Sequence, residues 1–181
     1  MQSPNTTIFI TYNPTHALEQ TLASRLHTIG SVNGFRMYLP DRFNSNNQLD
    51  FETIRRINLS DYFIVFSFGK LSDMVRQEID TAYKHLQDPS RILVIYDRRN
   101  GKNLVGKITD HFKAFDFDPI NDDASELVQK IIVSINRREN IVLKQQLAQE
   151  RQAKESSQAL NALLGIGLGL FALAALSKND G

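Results

Sequence analysis

Two runs of five apolar or aromatic residues, Tyr62 to Phe66 and Ile92 to Tyr96, contain no polar residue at alternate positions. A strand with one wet face alternates; a run that does not is covered on both faces, as in parallel sheets with helices above and below. Ile8 to Ile10 repeats the pattern in miniature, and Phe35 to Leu39 adds another short strand. Between these runs the apolar residues recur at helical spacing. The chain is therefore predicted to be α/β, with a doubly wound parallel sheet of about five strands. Right-handed crossovers then place every turn that follows a strand on one edge of the sheet.

Taken in order, the first strand ends at Thr11 and is followed by the turn residues Tyr12, Asn13 and Pro14. Thr15 is expected to cap a helix whose stripe is Leu18, Leu22, Leu26 and Ile29, with Gly30 as its C-terminal stop. The second strand closes at Pro40–Asp41. The polar loop to Leu49, which contains Phe43, follows the carboxyl end of that strand, a place where function tends to be carried. A helix over Asp50 to Leu59 is expected to turn Phe51, Ile54 and Ile57 inward. Ser72 and Asp73 offer N-cap chemistry to a helix carrying Val75, Ile79, Ala82 and Leu86 on one stripe. Asp97 to Gly106 reads as a polar excursion and Phe112 to Phe117 as a fifth strand. Leu127, Ile131 and Ile135 mark a helix that closes the domain.

The domain so defined spans residues 1–136. Residues 137–158, rich in Glu, Gln, Lys, Arg, Leu and Ala with a thin stripe of Val142 and Leu147, are expected to form a helical stalk. Residues 159–177 form an apolar helix and 178–181 a polar tail. Ala159 to Leu176 has Asn161 as its only polar member, and as a helix it would span roughly 27 Å, near the thickness of a bilayer core. Gly165 and Gly169 form a small-xxx-small pair. Two readings stand side by side, a transmembrane tail anchor and an oligomerisation helix buried between subunits.

Several chemistries are excluded. With no cysteine, the chain has no disulfide framework, thiolate metal site or cysteine nucleophile. A net charge of +1 with no basic run gives no pull toward nucleic acid. Met1 to Thr7 lacks the basic and apolar regions of a signal peptide, so a cytoplasmic domain is expected, with the membrane tether as the open alternative. His16, His27, His85 and His111 show no ligand spacing, and no metal is expected. The glycines at 165, 167 and 169 follow no strand and lack the rest of a dinucleotide fingerprint. A phosphoacceptor receiver would need acidic residues where this chain has Thr11, Tyr12, Asn13 and Ser67. What remains is Glu78, beside the apolar stripe of its helix and just past the carboxyl end of a strand, the edge at which open α/β sheets bind ligands.

Ile8 to Tyr12 resembles the first box of Toll/interleukin-1 receptor (TIR) domains. Ser60 to Ser67, followed by Ser72, Val75, Glu78 and Ile79, resembles the family's third strand and catalytic helix. The resemblance covers about residues 6 to 135 and is strongest to bacterial TIR-like proteins of anti-phage defence, including the Thoeris type. It implies a flavodoxin-like fold and cleavage of NAD+ as substrate, with no bound cofactor, to nicotinamide and linear or cyclic ADP-ribose. Glu78 matches the catalytic glutamate. Tyr12, Asn13 and Phe43 match places that contact the dinucleotide, Ser72 lies at the mouth of the same cleft, and Arg42 or Lys70 can face the pyrophosphate. Met74 stands where many catalytic members carry a tryptophan, and the loop after Leu39 keeps the family's proline without its glycine. The resemblance further implies activation by self-association through the TIR domain and the C-terminal helix. Two other functions stay open: a non-catalytic adaptor acting through homotypic contacts, and a membrane-anchored effector.

Overall fold

A computed structural model describes residues 6–42, 49–100 and 112–176, with backbone alone beyond 152. In chain order the elements are β1 (Thr7–Thr11), α1 (Ala17–Val32), β2 (Arg36–Tyr38), α2 (Phe51–Asn58), β3 (Tyr62–Ser67), α3 (Asp73–His85), a 3-10 turn (Pro89–Arg91), β4 (Ile92–Asp97), β5 (Lys113–Phe117) and α4 (Ala124–Leu176). All four strand pairings are parallel, in the order β2-β1-β3-β4-β5. The chain leaves β1 toward β2 and returns past it to β3. That reversal is a topological switch point, and it opens a crevice outside the carboxyl ends of β1 and β3.

The non-alternating runs are buried almost throughout: every residue of β1 and β3 is buried, and in β4 only Tyr96 is half-buried. Phe9 and Phe63, paired across β1 and β3, stack with ring centroids 5.6 Å apart. On their face of the sheet they join Val65, Ile57, Val75, Ile79 and Ala82, so α2 and α3 cover that side. Met37, at the opposite parity of β2, meets Gly30 of α1, which places α1 on the other side. Ile8, Ile10, Ile64 and Phe66 alternate onto that second face, and all are fully buried. Each such side chain contributes about 1.5–3 kcal/mol relative to exposure.

The structure corrects several local expectations. His16, not Thr15, is the N-cap residue of α1, and its side chain makes no capping bond. Thr15 instead donates its N–H and hydroxyl to Asn13 Oδ1 at 3.2 and 2.9 Å. In the α1 stripe Leu22 and Leu26 are buried with Ala23, whereas Leu18 and Ile29 are half-buried. Gly30 lies inside the helix, where a Cβ would come 2.7 Å from Met37 Sδ. The stop is Gly34, whose φ of 87° is the left-handed conformation that side chains resist. In α2, Ile57 is buried beside Thr53, Ile54 is half-buried, and Phe51 is 78% exposed. The helix starts at Phe51 because Asp50 caps it by accepting from Glu52 N–H, and that start turns the aromatic ring outward.

Two compact units divide the chain, the first ending at Ser134 and the second beginning at Ile135. In the first, α4 buries Leu127, Val128, Ile131 and Ile132. In the second, α4 continues as helical backbone with Ile141, Leu143 and Leu147 exposed. One helix, α4, runs through the residues expected as stalk and as apolar helix, ending at Leu176. The membrane expectation finds no support: among the described residues no helix is long and apolar enough to cross a bilayer. Most of the Asp97 to Gly106 excursion, the side chains of the apolar segment and the polar tail lie outside the described residues.

Candidate functional site

The switch-point crevice is built from the segments that leave β1 and β3. Ser72 caps α3 by accepting Val75 N–H at 3.3 Å, which fixes the first turn of the helix at the carboxyl end of β3. One turn further, Val75, Glu78, Ile79 and Ala82 are all buried. A glutamate among them is forced to find partners, because an isolated buried carboxylate is very costly. Glu78 is 0% exposed, and it finds two.

Thr11, on the α3 side of β1's last position, donates its hydroxyl to Glu78 Oε2. Arg42, just past β2, donates Nη1 to Oε1 at 2.8 Å and Nη2 to Oε2 at 3.1 Å, a bidentate pair. The same Nη2 reaches Thr11 Oγ1 at 3.2 Å and the Tyr12 carbonyl at 3.0 Å. The guanidinium carbon sits 5.7 Å from the centroid of the Tyr12 ring. Burial pushes the Glu78 carboxyl above the usual carboxylate range, while the Arg42 charge, the Thr11 hydroxyl and the Arg42 hydrogen bonds pull it back. The pair is thus a shielded carboxylate held by a cation whose side chain is 14% exposed.

Beside it opens a cavity of about 470 Å³, lined by residues 13–15 and 70–74. That volume suits a nucleotide-sized ligand. Asn13, Ser72 and Met74 line it, as does Lys70. Asn13 Nδ2 bonds the Lys70 carbonyl at 2.9 Å, joining the two walls. Glu78 does not itself line the cavity. It lies one helical turn beyond Met74, beneath Arg42.

Of the residues singled out in the sequence, Glu78, Arg42 and Tyr12 thus form one cluster, and Asn13, Ser72 and Met74 form the cavity next to it. Phe43 lies outside the described residues. Arg42, expected toward a pyrophosphate, is engaged with Glu78. Sequence reasoning missed Thr11 and Glu19. Thr11 shows a signal in hindsight, being a hydroxyl at the carboxyl end of a buried strand. Glu19 is 1% exposed and accepts Asn13 N–H and Phe68 N–H, each at 2.7 Å. Its spacing to Leu22 and Leu26 put it on the buried stripe all along. Among the described residues no cluster of His, Asp and Glu has the makings of a metal site.

A parallel sheet in the order 2-1-3-4-5 with helices on both faces is a doubly wound α/β architecture, and the likeness to solved structures makes it TIR-like in fold. The TIR domains of the activated Roq1 resistosome, which directly recognizes the pathogen effector XopQ, match with a TM-score of 0.54 and 16% identity, over 72% of this chain and 99% of theirs. The CMP N-glycosidase BcmB of Clostridium botulinum matches with a TM-score of 0.51 and 16% identity, over 70% of this chain and 98% of that one. No protein-family model and no curated protein matches the sequence.

Proposed function

We propose that the chain is an NAD+ glycohydrolase or cyclase that breaks the bond between nicotinamide and ribose, with Glu78 as its catalytic residue, and that self-association turns it on in a signalling role. The observation that carries this reading is a fully buried carboxylate, paired with Arg42, at the β1/β3 switch point beside a nucleotide-sized cavity. That a CMP N-glycosidase shares the fold lends support, since that protein also acts on an N-glycosidic nucleotide.

One carboxylate suffices for this reaction. As the C1′–N bond breaks, its electron pair returns to the pyridinium ring, nicotinamide leaves neutral, and no general acid is needed. Positive charge develops on the ribose, and an anion held in a dry site stabilises it far better than water does. Water then bonds C1′ and gives up a proton, or the other end of the dinucleotide closes onto the same carbon. Asn13, Ser72 and Met74 grip the nucleotide, and Tyr12 borders it.

Arg42 bears on activation. While it covers Glu78, the carboxylate cannot meet ribose, so Arg42 must swing aside, and its charge is then free for the pyrophosphate. A resting state closed in this way suits an enzyme activated by assembly, and the resistosome relative, described as activated, supports that view. The test is incubation of the concentrated full-length protein with NAD+, and separately with CMP, beside Glu78→Ala, with products separated by chromatography. Nicotinamide released by the first protein alone supports the reading. Cytosine from CMP without nicotinamide from NAD+ moves the substrate to mononucleotides, and no base release from either leaves a non-catalytic adaptor.

A further inference from the structure

Glu19 is the third residue of α1, the position from which a glutamate usually reaches back to the amide of its own N-cap residue. Here that amide is already spent: His16 N–H donates to the Asn13 carbonyl at 3.0 Å. The carboxylate turns instead to the strand tips. Oε2 accepts Asn13 N–H and Oε1 accepts Phe68 N–H, both at 2.7 Å, the short range of charge-assisted bonds. At 1% exposure Glu19 forms no ion pair among the described residues, so these two bonds are what make its burial tolerable.

The two amides belong to the two loops between which the cavity lies. Asn13 leads into residues 13–15, and Phe68 leads into 70–74. Phe68 is gripped from both sides, since its carbonyl accepts Asn100 Nδ2 at 3.0 Å and its ring stacks on Phe117 at 5.7 Å. The Asn13 side chain then closes the far end through the Lys70 carbonyl. Glu19 reaches the strand tips from the α1 face, whereas Glu78 reaches them from the α3 face.

We infer that Glu19 is a positioning residue of the nucleotide site: one buried carboxylate ties the loop after β1 to the loop after β3 and sets the width of the cavity between them. This rests on the reading of that cavity as the place where the nucleotide binds. Glu19→Gln is the informative change, because the amide keeps one acceptor and presents an NH2 to the other main-chain N–H, releasing one loop while keeping the volume. Glu19→Asp, shorter by a methylene, cannot span both amides and serves as a second variant.

The experiment compares wild type, both Glu19 variants and Leu26→Val, a core change elsewhere in α1, by NAD+ kinetics and amide hydrogen exchange. The Glu19 variants raise KM by about tenfold with kcat within about twofold, as expected for grip lost equally in ground and transition states. The amides of Asn13, Thr15 and residues 68–74 gain exchange together in them. Leu26→Val lowers the Tm and moves neither quantity. A KM that stays at the wild-type value, or loops that keep their protection, overturns the proposal. If wild type releases no nicotinamide, the reading of function fails by itself, and the exchange data still decide whether Glu19 joins the loops.

Discussion

Replacing Arg42 with methionine removes both guanidinium bonds from Glu78 and leaves the carboxylate with the Thr11 hydroxyl. Two outcomes compete. If the carboxylate stays ionised, an uncompensated buried charge costs about 3–5 kcal/mol. If it takes up a proton, the cost becomes pH-dependent, and its sign follows from the direction of the shift. Burial already holds the folded pKa above the unfolded value, so the stability Glu78 lends is complete below the unfolded pKa and is lost as pH rises through the folded one. Without Arg42 the folded pKa rises further. Wild type and variant therefore lose stability in parallel up to the wild-type folded pKa; beyond it only the variant continues, at about 1.36 kcal/mol per pH unit. At about 3 °C per kcal/mol for a domain of this size, a loss at the lower figure for a broken buried pair makes the variant melt about 9 °C lower at the alkaline end than its parallel course at acid pH implies. Urea and thermal unfolding from pH 5 to 9 measure this, with the double variant Arg42→Met/Glu78→Gln expected to abolish the pH dependence and recover most of the loss. A loss of equal size at every pH, untouched by Glu78→Gln, would refute the reasoning.

Further outcomes follow from the same geometry. Because ribose stabilisation needs the ionised carboxylate, NAD+ cleavage falls off on the acid side at a pH above the ordinary glutamate value, and a pH–rate profile that stays flat down to pH 5 contradicts this. Gly34→Ala, forced to a φ of 87°, destabilises by about 1–2 kcal/mol in urea unfolding, whereas a loss below about 0.3 kcal/mol would mean that the backbone relaxes. Ser72→Ala removes the cap of α3 and costs about 1 kcal/mol, and nicotinamide release slows with it if the first turn of α3 sets the approach to Glu78.

What the sequence made legible was whatever depended on short-range pattern. The runs at 62–66 and 92–96 declared a parallel sheet because burial on both faces leaves no polar alternation. Val75, Ile79, Ala82 and Leu86 declared α3, and Glu78 stood out as a carboxylate beside that stripe. The cap of α3 was equally local, and Ser72 supplies it. What stayed hidden depended on pairings across the fold. Arg42 lies thirty-six residues from Glu78, and nothing in its neighbourhood distinguishes it from a solvated loop arginine. Glu19 looked like an ordinary first-turn acid because its partners are main-chain amides, one of them forty-nine residues away. Phe51 was misassigned for a simpler reason: hydrophobicity outweighed helical phase, and the Asp50 cap sets the phase. The mistake over Gly30 was of the same kind, a choice between two glycines four residues apart that only φ resolves.

The central claim is that the Glu78 carboxylate acts on the ribose of a bound nucleotide, and initial rates of nicotinamide release from NAD+ by wild type and Glu78→Gln, each at saturating substrate, test it most directly. The account predicts a kcat lower by about 10²–10³-fold in the variant, the usual size of a lost electrostatic contact to a developing charge, with KM little changed. Equal rates in the two proteins would contradict it and leave Glu78 as a buried partner that holds Arg42 and Thr11 in place.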